Sequence, residues 1–378
     1  MKTKILEEFK RRFDTEPSLY ASAGRINLIG EHTDYNGGFV FPGAIDKIIM
    51  AAIAPNDSEK VRVFSIDINE YAEFGLNEKD APEQPWARYI FGVCREIIKR
   101  GGSVKGFDAV FAGNVPLGAG LSSSAALESC FAFALNDMFN NNSIDKFELA
   151  KIGQSTEHNY CGVNCGIMDQ FASIMGKKGK LMRLDCRSME YEYYPFAPDD
   201  YELVLIDSKV KHELADSPYN KRRASCERVA KRLGVETLRD ATMDMLNDVR
   251  EDISAEDFSR AKFVIEEKDR VLAVCDALEA GDFETVGEKM YETHRGLSKD
   301  YEVSCEELDF LNDIARECGV TGSRIMGGGF GGCTINLVKK DLRDKFIETA
   351  KIKFNEKYGH EPGVYPVVIS DGARKMDI

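Results

Sequence analysis

The sequence predicts an α+β protein with mixed sheets. Its 378 residues exceed the roughly 150 residues of a typical domain, and 43% of them are hydrophobic. Short β-like runs alternate with amphipathic helical patterns in the first half, whereas residues 216–316 are mainly helical. We therefore expect two domains, with an N-terminal domain over residues 1–178 and a C-terminal domain over residues 179–378.

The first half begins with a helical pattern, because Ile5, Phe9 and Phe13 recur at every fourth position. The predicted strands of this half cover residues 26–29, 48–54, 61–66 and 107–112. The predicted helices cover residues 86–100, 122–139 and 145–160, and a further helix begins near residue 167. Gly101 and Gly102 are expected to end the helix that precedes them.

The second half contains predicted strands at residues 180–185, 203–206, 333–338 and 364–369. A helix is expected over residues 341–357. There is no repeat of 20 to 50 residues and no flexible Gly/Ser linker, so the two domains are expected to lie close together.

Charge and composition argue against several classes of function. The chain has 50 Lys and Arg against 64 Asp and Glu, a net charge of −14, so we expect it to bind neither nucleic acid nor a membrane surface. No apolar run approaches the roughly 18 residues of a membrane span, and the N-terminus does not resemble an export signal. Ten scattered Cys indicate reduced thiols, and five His without an HExxH pattern argue against a zinc enzyme. We expect a cytoplasmic protein.

A Gly-rich loop at residues 116–126 follows a predicted strand and enters a predicted helix. Gly118 and Gly120 allow a close approach of the backbone to an anion, and the helix start adds free N–H groups. Three hydroxyls follow, from Ser122 to Ser124. This pattern favours a phosphate-binding loop over a simple turn with a Ser cap.

The Gly cluster at residues 327–332 formally matches GxGxxG, but a strand follows it where a dinucleotide site needs a helix. A second loop that brings its backbone close to a ligand and a plain hairpin turn are both consistent with this pattern.

Polar residues cluster at the end of a predicted strand within residues 24–38, where Glu31, His32 and Asp34 lie close together. Such clusters usually belong to a site, although a charged hairpin loop is the alternative. Asp169 lies among apolar residues and requires a cation or donors, for which Arg25 is a candidate; it could also be a helix N-terminal acid.

Three further residues carry no functional signal by themselves. Glu157 and His158 lie on a polar helix face that is typical of solvated surface. Tyr219 follows a Pro at a predicted helix start and is typical of a packing residue.

Together these segments resemble the galactokinase family of GHMP small-molecule kinases. The family's galactose signature is similar to residues 24–38, its phosphate loop to residues 116–126 and its C-terminal Gly-rich motif to residues 322–333. Residues 162–171, 214–226 and 301–309 also resemble this family, so the resemblance spans nearly the whole chain. Ala23 stands where the family usually has Pro, and Met326 stands where Thr is common. We expect these differences to alter loop stiffness rather than chemistry.

The resemblance implies a two-domain GHMP kinase fold with mixed or antiparallel sheets, flanking helices and a site in the cleft between domains. It implies transfer of the γ-phosphoryl group of ATP to the C1 hydroxyl of D-galactose, with Mg²⁺. The implied catalytic residues are Asp169 and Arg25. The implied sugar-binding residues are Glu31, His32, Asp34, Gly166 and Tyr219. The implied phosphate-binding residues are Gly118, Ala119, Gly120, Leu121, Ser122, Ser123 and Ser124. Trp86 and Tyr89 are implied to flank adenine, and Ser124 and Glu157 to bind Mg²⁺.

Two alternatives remain open from the sequence. A related kinase could act on another sugar, such as N-acetylgalactosamine. A non-catalytic galactose sensor would bind ATP and sugar without transfer, but the run from Ser122 to Ala126 is complete, and Arg25 and Asp169 are both present. A monomer or weak homodimer is expected.

Overall fold

The computed structural model describes residues 1–196, 198–210 and 218–378, with the backbone alone for residues 218 and 219. Within these ranges the chain folds into three sheets and flanking helices. The predicted α+β class with mixed sheets is confirmed.

The first half contains nearly all of one large sheet and the helices that cover it. Its helices are α1 (Lys2–Arg12), α2 (Pro85–Lys99), α3 (Ser123–Asn140), α4 (Lys146–Thr156) and α5 (Met168–Met175). Its strands are β1 (Ser18–Asn27), β2 (Phe39–Val40), β3 (Pro42–Pro55), β4 (Lys60–Ser65), β5 (Glu70–Gly75) and β6 (Phe107–Gly113). All the helices predicted for this half are confirmed within a few residues.

The second half adds two smaller sheets and most of the helical residues. Its strands are β7 (Lys180–Asp185), β8 (Tyr191–Pro195), β9 (Tyr201–Asp207), β10 (Gly322–Ile325), β11 (Cys333–Lys339), β12 (Gly363–Val367) and β13 (Arg374–Met376). Its helices are α6 (Pro218–Leu233), α7 (Met243–Asp248), α8 (Ala255–Glu279), α9 (Phe283–Arg295), α10 (Glu306–Glu317) and α11 (Arg343–Tyr358).

The strands of the large sheet lie in the order β13-β1-β3-β6-β4-β5. The sheet is mixed, because β4 and β6 pair in parallel whereas the other neighbours are antiparallel. Strand β13 lies at one edge, where Leu19 pairs with Met376. Helices α3 and α5 pack against β1 and β3, and this packing places the starts of both helices beside the end of β1.

The second-half sheet has the order β10-β11-β9-β12, and a third sheet has the order β2-β7-β8. The pairing of Phe39 with Asp185 joins the two halves, as does the pairing of β13 with β1. One hydrophobic core contains buried residues from both halves, including Leu135 and Leu337. The proposed boundary at residue 178 stays a prediction.

The strand predicted at residues 26–29 is displaced in the structure, because β1 ends at Asn27 and begins at Ser18. Half of the residues of β1 are small, and all except Ser18 are buried, so neither alternation nor β-branched side chains reveal this strand. Beyond Asn27 the backbone leaves the sheet, and Leu28 donates its N–H to the Phe41 carbonyl over 3.0 Å. The polar cluster therefore follows a short connecting segment rather than the strand itself.

All ten cysteines are free thiols. Among the described residues, no helix combines the length and the apolar character that crossing a bilayer would require.

Candidate active site

A cleft of about 360 Å³ brings together four segments that are distant in sequence. Its walls are formed by residues around Arg25 to Asp34, by the Gly-rich loop at 116–124, by residues 157–169 and by the Gly cluster at 326–332. The sequence motifs singled out above therefore meet in one place. The Gly cluster also connects the antiparallel strands β10 and β11, which confirms the hairpin interpretation. It lines the cleft, and the approach of its backbone to a ligand stays a prediction.

Arg25 and Asp169 form a bidentate ion pair inside this cleft. Arg25 Nε lies 2.7 Å from Asp169 Oδ1, and Nη2 lies 2.9 Å from Oδ2. Arg25 is 5% exposed, whereas the Asp169 side chain keeps 29% of its surface open to the cleft. The pairing predicted from the sequence is confirmed, and it leaves the carboxylate accessible to a ligand.

The Gly-rich loop contacts this pair directly. The Ser122 hydroxyl donates to Asp169 Oδ2, and Arg25 Nη1 donates to the Gly120 carbonyl. Gly118 and Gly120 adopt left-handed φ angles of 77° and 75°, which favour glycine. Helix α3 starts at Ser123, so its unpaired N–H groups open at the cleft.

Most predicted phosphate-loop residues line the cleft, namely Gly118, Gly120, Leu121, Ser122, Ser123 and Ser124. Ala119 is fully buried instead and does not line it. It belongs to the large hydrophobic core, so its side chain supports the loop from behind.

Glu31, His32 and Asp34 line the same cleft as the Gly-rich loop. Glu31 Oε1 accepts hydrogen bonds from Arg324 Nη2 at 3.0 Å and from the Gly327 backbone N–H at 2.9 Å. His32 Nδ1 lies 2.8 Å from the Tyr35 hydroxyl. Burial lowers the pKa of His32 to about 3, so this ring is neutral near pH 7.

Asp34 is partly buried close to two other acids and to Gly166. Its pKa is raised to about 6, first by desolvation and then by the charges of Asp169 and Glu31. A Cβ atom at Gly166 would lie 1.8 Å from Asp34 Oδ2. Position 166 therefore accepts only glycine while Asp34 keeps this orientation.

Glu157 is not part of a solvated surface, contrary to what its helix face suggested. It is 6% exposed and lines the cleft, whereas His158 is exposed. Glu157 follows Leu149 and Gly153 at four-residue steps, so it lies on the buried face of α4. A π-helical turn at Glu157–Cys161 continues this helix. Burial raises the pKa of Glu157 to about 7, against the lowering effect of a hydrogen bond with the Ser124 side chain.

Trp86 and Tyr89 are not among the residues that line the cleft. Trp86 Nε1 donates to Glu70 Oε2 over 2.7 Å, and its ring packs against Phe111 at 5.5 Å. Burial raises the pKa of Tyr89. Their contact with adenine stays a prediction, and the side chain of Tyr219 lies outside the described residues.

Two buried residues that contact the site are absent from the sequence-based prediction. Arg324 lies three residues before the Gly cluster, and this position near a proposed ligand loop was an available signal. Glu267 lies in α8, a helix rich in charged residues, where nothing in the sequence distinguishes it.

Comparison with known proteins identifies the family. Residues 7–55 match the galactokinase galactose-binding signature, residues 88–177 the GHMP kinases N terminal domain, and residues 275–356 the GHMP kinases C terminal domain. The galactokinase of Clostridium acetobutylicum is 41% identical over 386 residues, covering 99% of this chain and 98% of the relative. The chain belongs to the galactokinase family.

Other galactokinases agree with this assignment. That of Thermotoga petrophila is 43% identical over 354 residues, covering 93% of this chain and 98% of the relative. The crystal structure of Lactococcus lactis galactokinase complexed with galactose matches with a TM-score of 0.93 at 33% identity, covering 99% of this chain and 100% of that chain. Methanococcus jannaschii mevalonate kinase shares the fold, with a TM-score of 0.69 at 18% identity. The GHMP kinase fold implied by the resemblance is confirmed.

Proposed function

We propose that this chain transfers the γ-phosphoryl group of ATP to the C1 hydroxyl of D-galactose, giving α-D-galactose 1-phosphate and ADP. The observation that carries the proposal is the Arg25–Asp169 ion pair, which lies between the Gly-rich loop and the Glu31–Asp34 segment in one cleft. Membership of the galactokinase family supports the choice of substrates.

The phosphates of ATP would lie on the loop from Gly118 to Ser124. Backbone N–H groups and the start of α3 supply positive potential there, so a chain with a net charge of −14 needs few basic side chains for this anion. The proposed adenine contacts are Trp86 and Tyr89.

Ser124 and Glu157 are the proposed ligands of Mg²⁺. One hydroxyl and one carboxylate suit this ion, which usually takes one or two carboxylates and fills its other positions with phosphate oxygens and water. The raised pKa of Glu157 fits the assignment, because a buried acid next to a hydroxyl is in need of a cation. Bound Mg²⁺ would neutralise charge on the phosphates.

The sugar would contact Glu31, His32, Asp34, Gly166 and Tyr219. Carboxylates accept hydrogen bonds from neighbouring sugar hydroxyls, and a neutral His32 can either donate or accept. A site of this kind discriminates strongly against a sugar that lacks a bonded hydroxyl, because its own polar groups are then left without a partner.

In the proposed reaction the C1 oxygen forms a bond to the γ-phosphorus while the bond to the β–γ bridging oxygen breaks and ADP leaves. Asp169 accepts the hydrogen bond of the attacking hydroxyl, whose proton passes to this carboxylate or to solvent as the new bond forms. Arg25 holds the carboxylate in place and stabilises the developing negative charge. Positioning and electrostatics supply most of the catalysis in phosphoryl transfer.

The test is an assay of ADP release with Mg-ATP across a panel of monosaccharides that includes galactose, glucose, galactosamine and N-acetylgalactosamine. Galactose should give the highest kcat/KM, and Asp169→Asn should reduce turnover by about 10²–10⁴-fold. Asp269→Asn is the matched control, because its side chain is 72% exposed on α8. Galactose turnover at the wild-type rate in Asp169→Asn would refute the assigned role.

Three further expectations stay predictions. They are a location in the cytoplasm, a monomeric or weakly dimeric state, and the absence of nucleic-acid or membrane partners.

A further inference from the structure

We infer that Arg324 and Glu267, two buried charges from the second half of the chain, are positioning residues for the sugar-binding segment at residues 27–34. The inference rests on the proposed function, because it concerns how Glu31 is presented to the sugar. Neither residue lines the cleft. Both therefore act on the substrate through the residues that they hold.

Arg324 is completely buried and donates to four acceptors. Its Nε donates to the Leu28 carbonyl at 2.8 Å, its Nη1 to its neighbour's carbonyl at Ile325 and its Nη2 to the Asn27 carbonyl. Nη2 also lies 3.0 Å from Glu31 Oε1. One guanidinium thus fixes both the backbone before Glu31 and the carboxylate of Glu31 itself.

Glu267 is likewise fully buried and holds the same segment by its N–H groups. Its Oε1 accepts from Gly30 N at 2.9 Å and from Glu31 N at 3.4 Å. Its Oε2 accepts from Arg270 Nε at 2.7 Å and from Thr293 Oγ1 at 2.8 Å. Every acceptor position of this carboxylate therefore faces a donor.

The two charges act on opposite polar groups of one short segment. Arg324 binds the carbonyls of residues 27 and 28, and Glu267 binds the N–H groups of residues 30 and 31. Gly30 between them has φ at +92°, and a Cβ there would lie 2.7 Å from the Phe39 carbonyl. The segment leaves the sheet in a conformation that these contacts fix from both sides.

The arrangement leaves one oxygen of Glu31 for the ligand. Within the described ranges, the hydrogen bonds of the Glu31 side chain all fall on Oε1, which Arg324 and Gly327 N share. Buried ion pairs contribute little net stability compared with well-packed apolar residues. Stability alone therefore does not account for the buried guanidinium of Arg324, whereas a role in orienting Glu31 does.

Conservative substitutions test this role. Arg324→Lys keeps the charge but loses the planar fork that reaches several acceptors at once. Glu267→Gln keeps the shape, but its amide nitrogen must face either the Gly30 N–H or the donors of Arg270 and Thr293, so one contact becomes donor against donor. The matched controls are Arg343→Lys and Glu317→Gln, which alter partly or largely exposed ion pairs.

The experiment measures kcat/KM of the full-length chain for galactose and for its singly deoxygenated analogues. The Glu31→Gln variant first identifies the hydroxyl that Glu31 binds. This hydroxyl is the one missing from the analogue for which the substitution lowers kcat/KM least. Arg324→Lys and Glu267→Gln should then reduce kcat/KM for galactose by about 10-fold or more, mainly through KM. On the identified analogue the loss should be less than about threefold, and KM for ATP should stay within about twofold of wild type.

A uniform loss on every sugar would overturn the inference, since a merely structural role lowers activity without regard to one hydroxyl. If Arg324→Lys fails to fold, Glu267→Gln carries the same expectation, and galactose protection against thermal unfolding is measured beside it. An inactive wild-type chain would instead refute the proposed function. An active wild type with uniform losses in both variants refutes the positioning role alone.

Discussion

A methyl group added at Gly166 would collide with a carboxylate that is proposed to bind the sugar. The new Cβ would lie 1.8 Å from Asp34 Oδ2 and 2.6 Å from Cγ. Real Cβ atoms do not approach other heavy atoms so closely, so Asp34 must rotate away in Gly166→Ala. Asp34 accepts hydrogen bonds from backbone N–H groups, including that of Tyr35, and a rotated carboxylate would lose this arrangement.

The expected loss follows from the hydrogen bond that Asp34 would no longer make to the sugar. A hydrogen bond to a charged group contributes about 1.5–3 kcal/mol, which corresponds to a fall in kcat/KM for galactose of roughly 10- to 150-fold. KM for ATP should change little, because neither Gly166 nor Asp34 belongs to the loop from Gly118 to Ser124 that is proposed to hold the phosphates.

The assay compares kcat/KM for Gly166→Ala, Asp34→Ala and the double variant. The two losses should not add, because both substitutions remove the same contact. Gly162→Ala is the matched control, since a Cβ there meets no atom within 4 Å and tests only backbone strain at φ +72°. Additive losses, or a Gly166→Ala enzyme as active as Gly162→Ala, would refute the reasoning.

Three further predictions concern ionisable groups of the cleft and its surroundings. The folded-state pKa of Asp34 is raised from 3.8 to about 6. Because protonation removes the charge of this carboxylate, kcat/KM for galactose at saturating Mg-ATP should fall about tenfold per pH unit below pH 6. A flat profile between pH 5 and 7 would contradict this prediction. Glu157→Ala or Ser124→Ala should raise the Mg²⁺ concentration needed for half-maximal activity at fixed ATP. KM for galactose at saturating Mg²⁺ should change little. An unchanged Mg²⁺ requirement would rule out these two residues as Mg²⁺ ligands. Burial raises the pKa of Glu128 well above 4.5, so this acid stabilises the folded state less as pH rises above 4.5. The glutamine in Glu128→Gln cannot ionise, so the Tm of this variant relative to wild type should rise between pH 5 and 8. Parallel Tm curves would show that the raised pKa of Glu128 does not affect stability in this range.

The parts of the site that the sequence predicted are those encoded by contiguous residues. The Gly-rich loop, the Glu31–Asp34 cluster and the Gly cluster each carry their signal within a short segment, and all three line the cleft. The pairing of Arg25 with Asp169 could be anticipated because an acid among apolar residues needs a partner.

The features that escaped prediction depend on contacts between distant segments. Strand β1 has no alternation because it is covered on both faces. Glu157 shares the buried face of α4 with Leu149 and Gly153, and a charged residue on that face does not by itself indicate burial. Arg324 and Glu267 acquire their roles only when the second half of the chain packs onto residues 27–31.

The position of β13 late in the sequence determines when one edge of β1 can be paired during synthesis. Residues 374–376 form the strand that pairs with β1, the strand that carries Arg25 near its other end. During synthesis the first half leaves the ribosome early and can fold around its own helices, yet β1 keeps an unpaired edge until those late residues appear. An unpaired edge is a template for pairing with another chain. The strand that carries the arginine of the proposed catalytic pair therefore keeps part of one edge unpaired until residues 374–376 have been made.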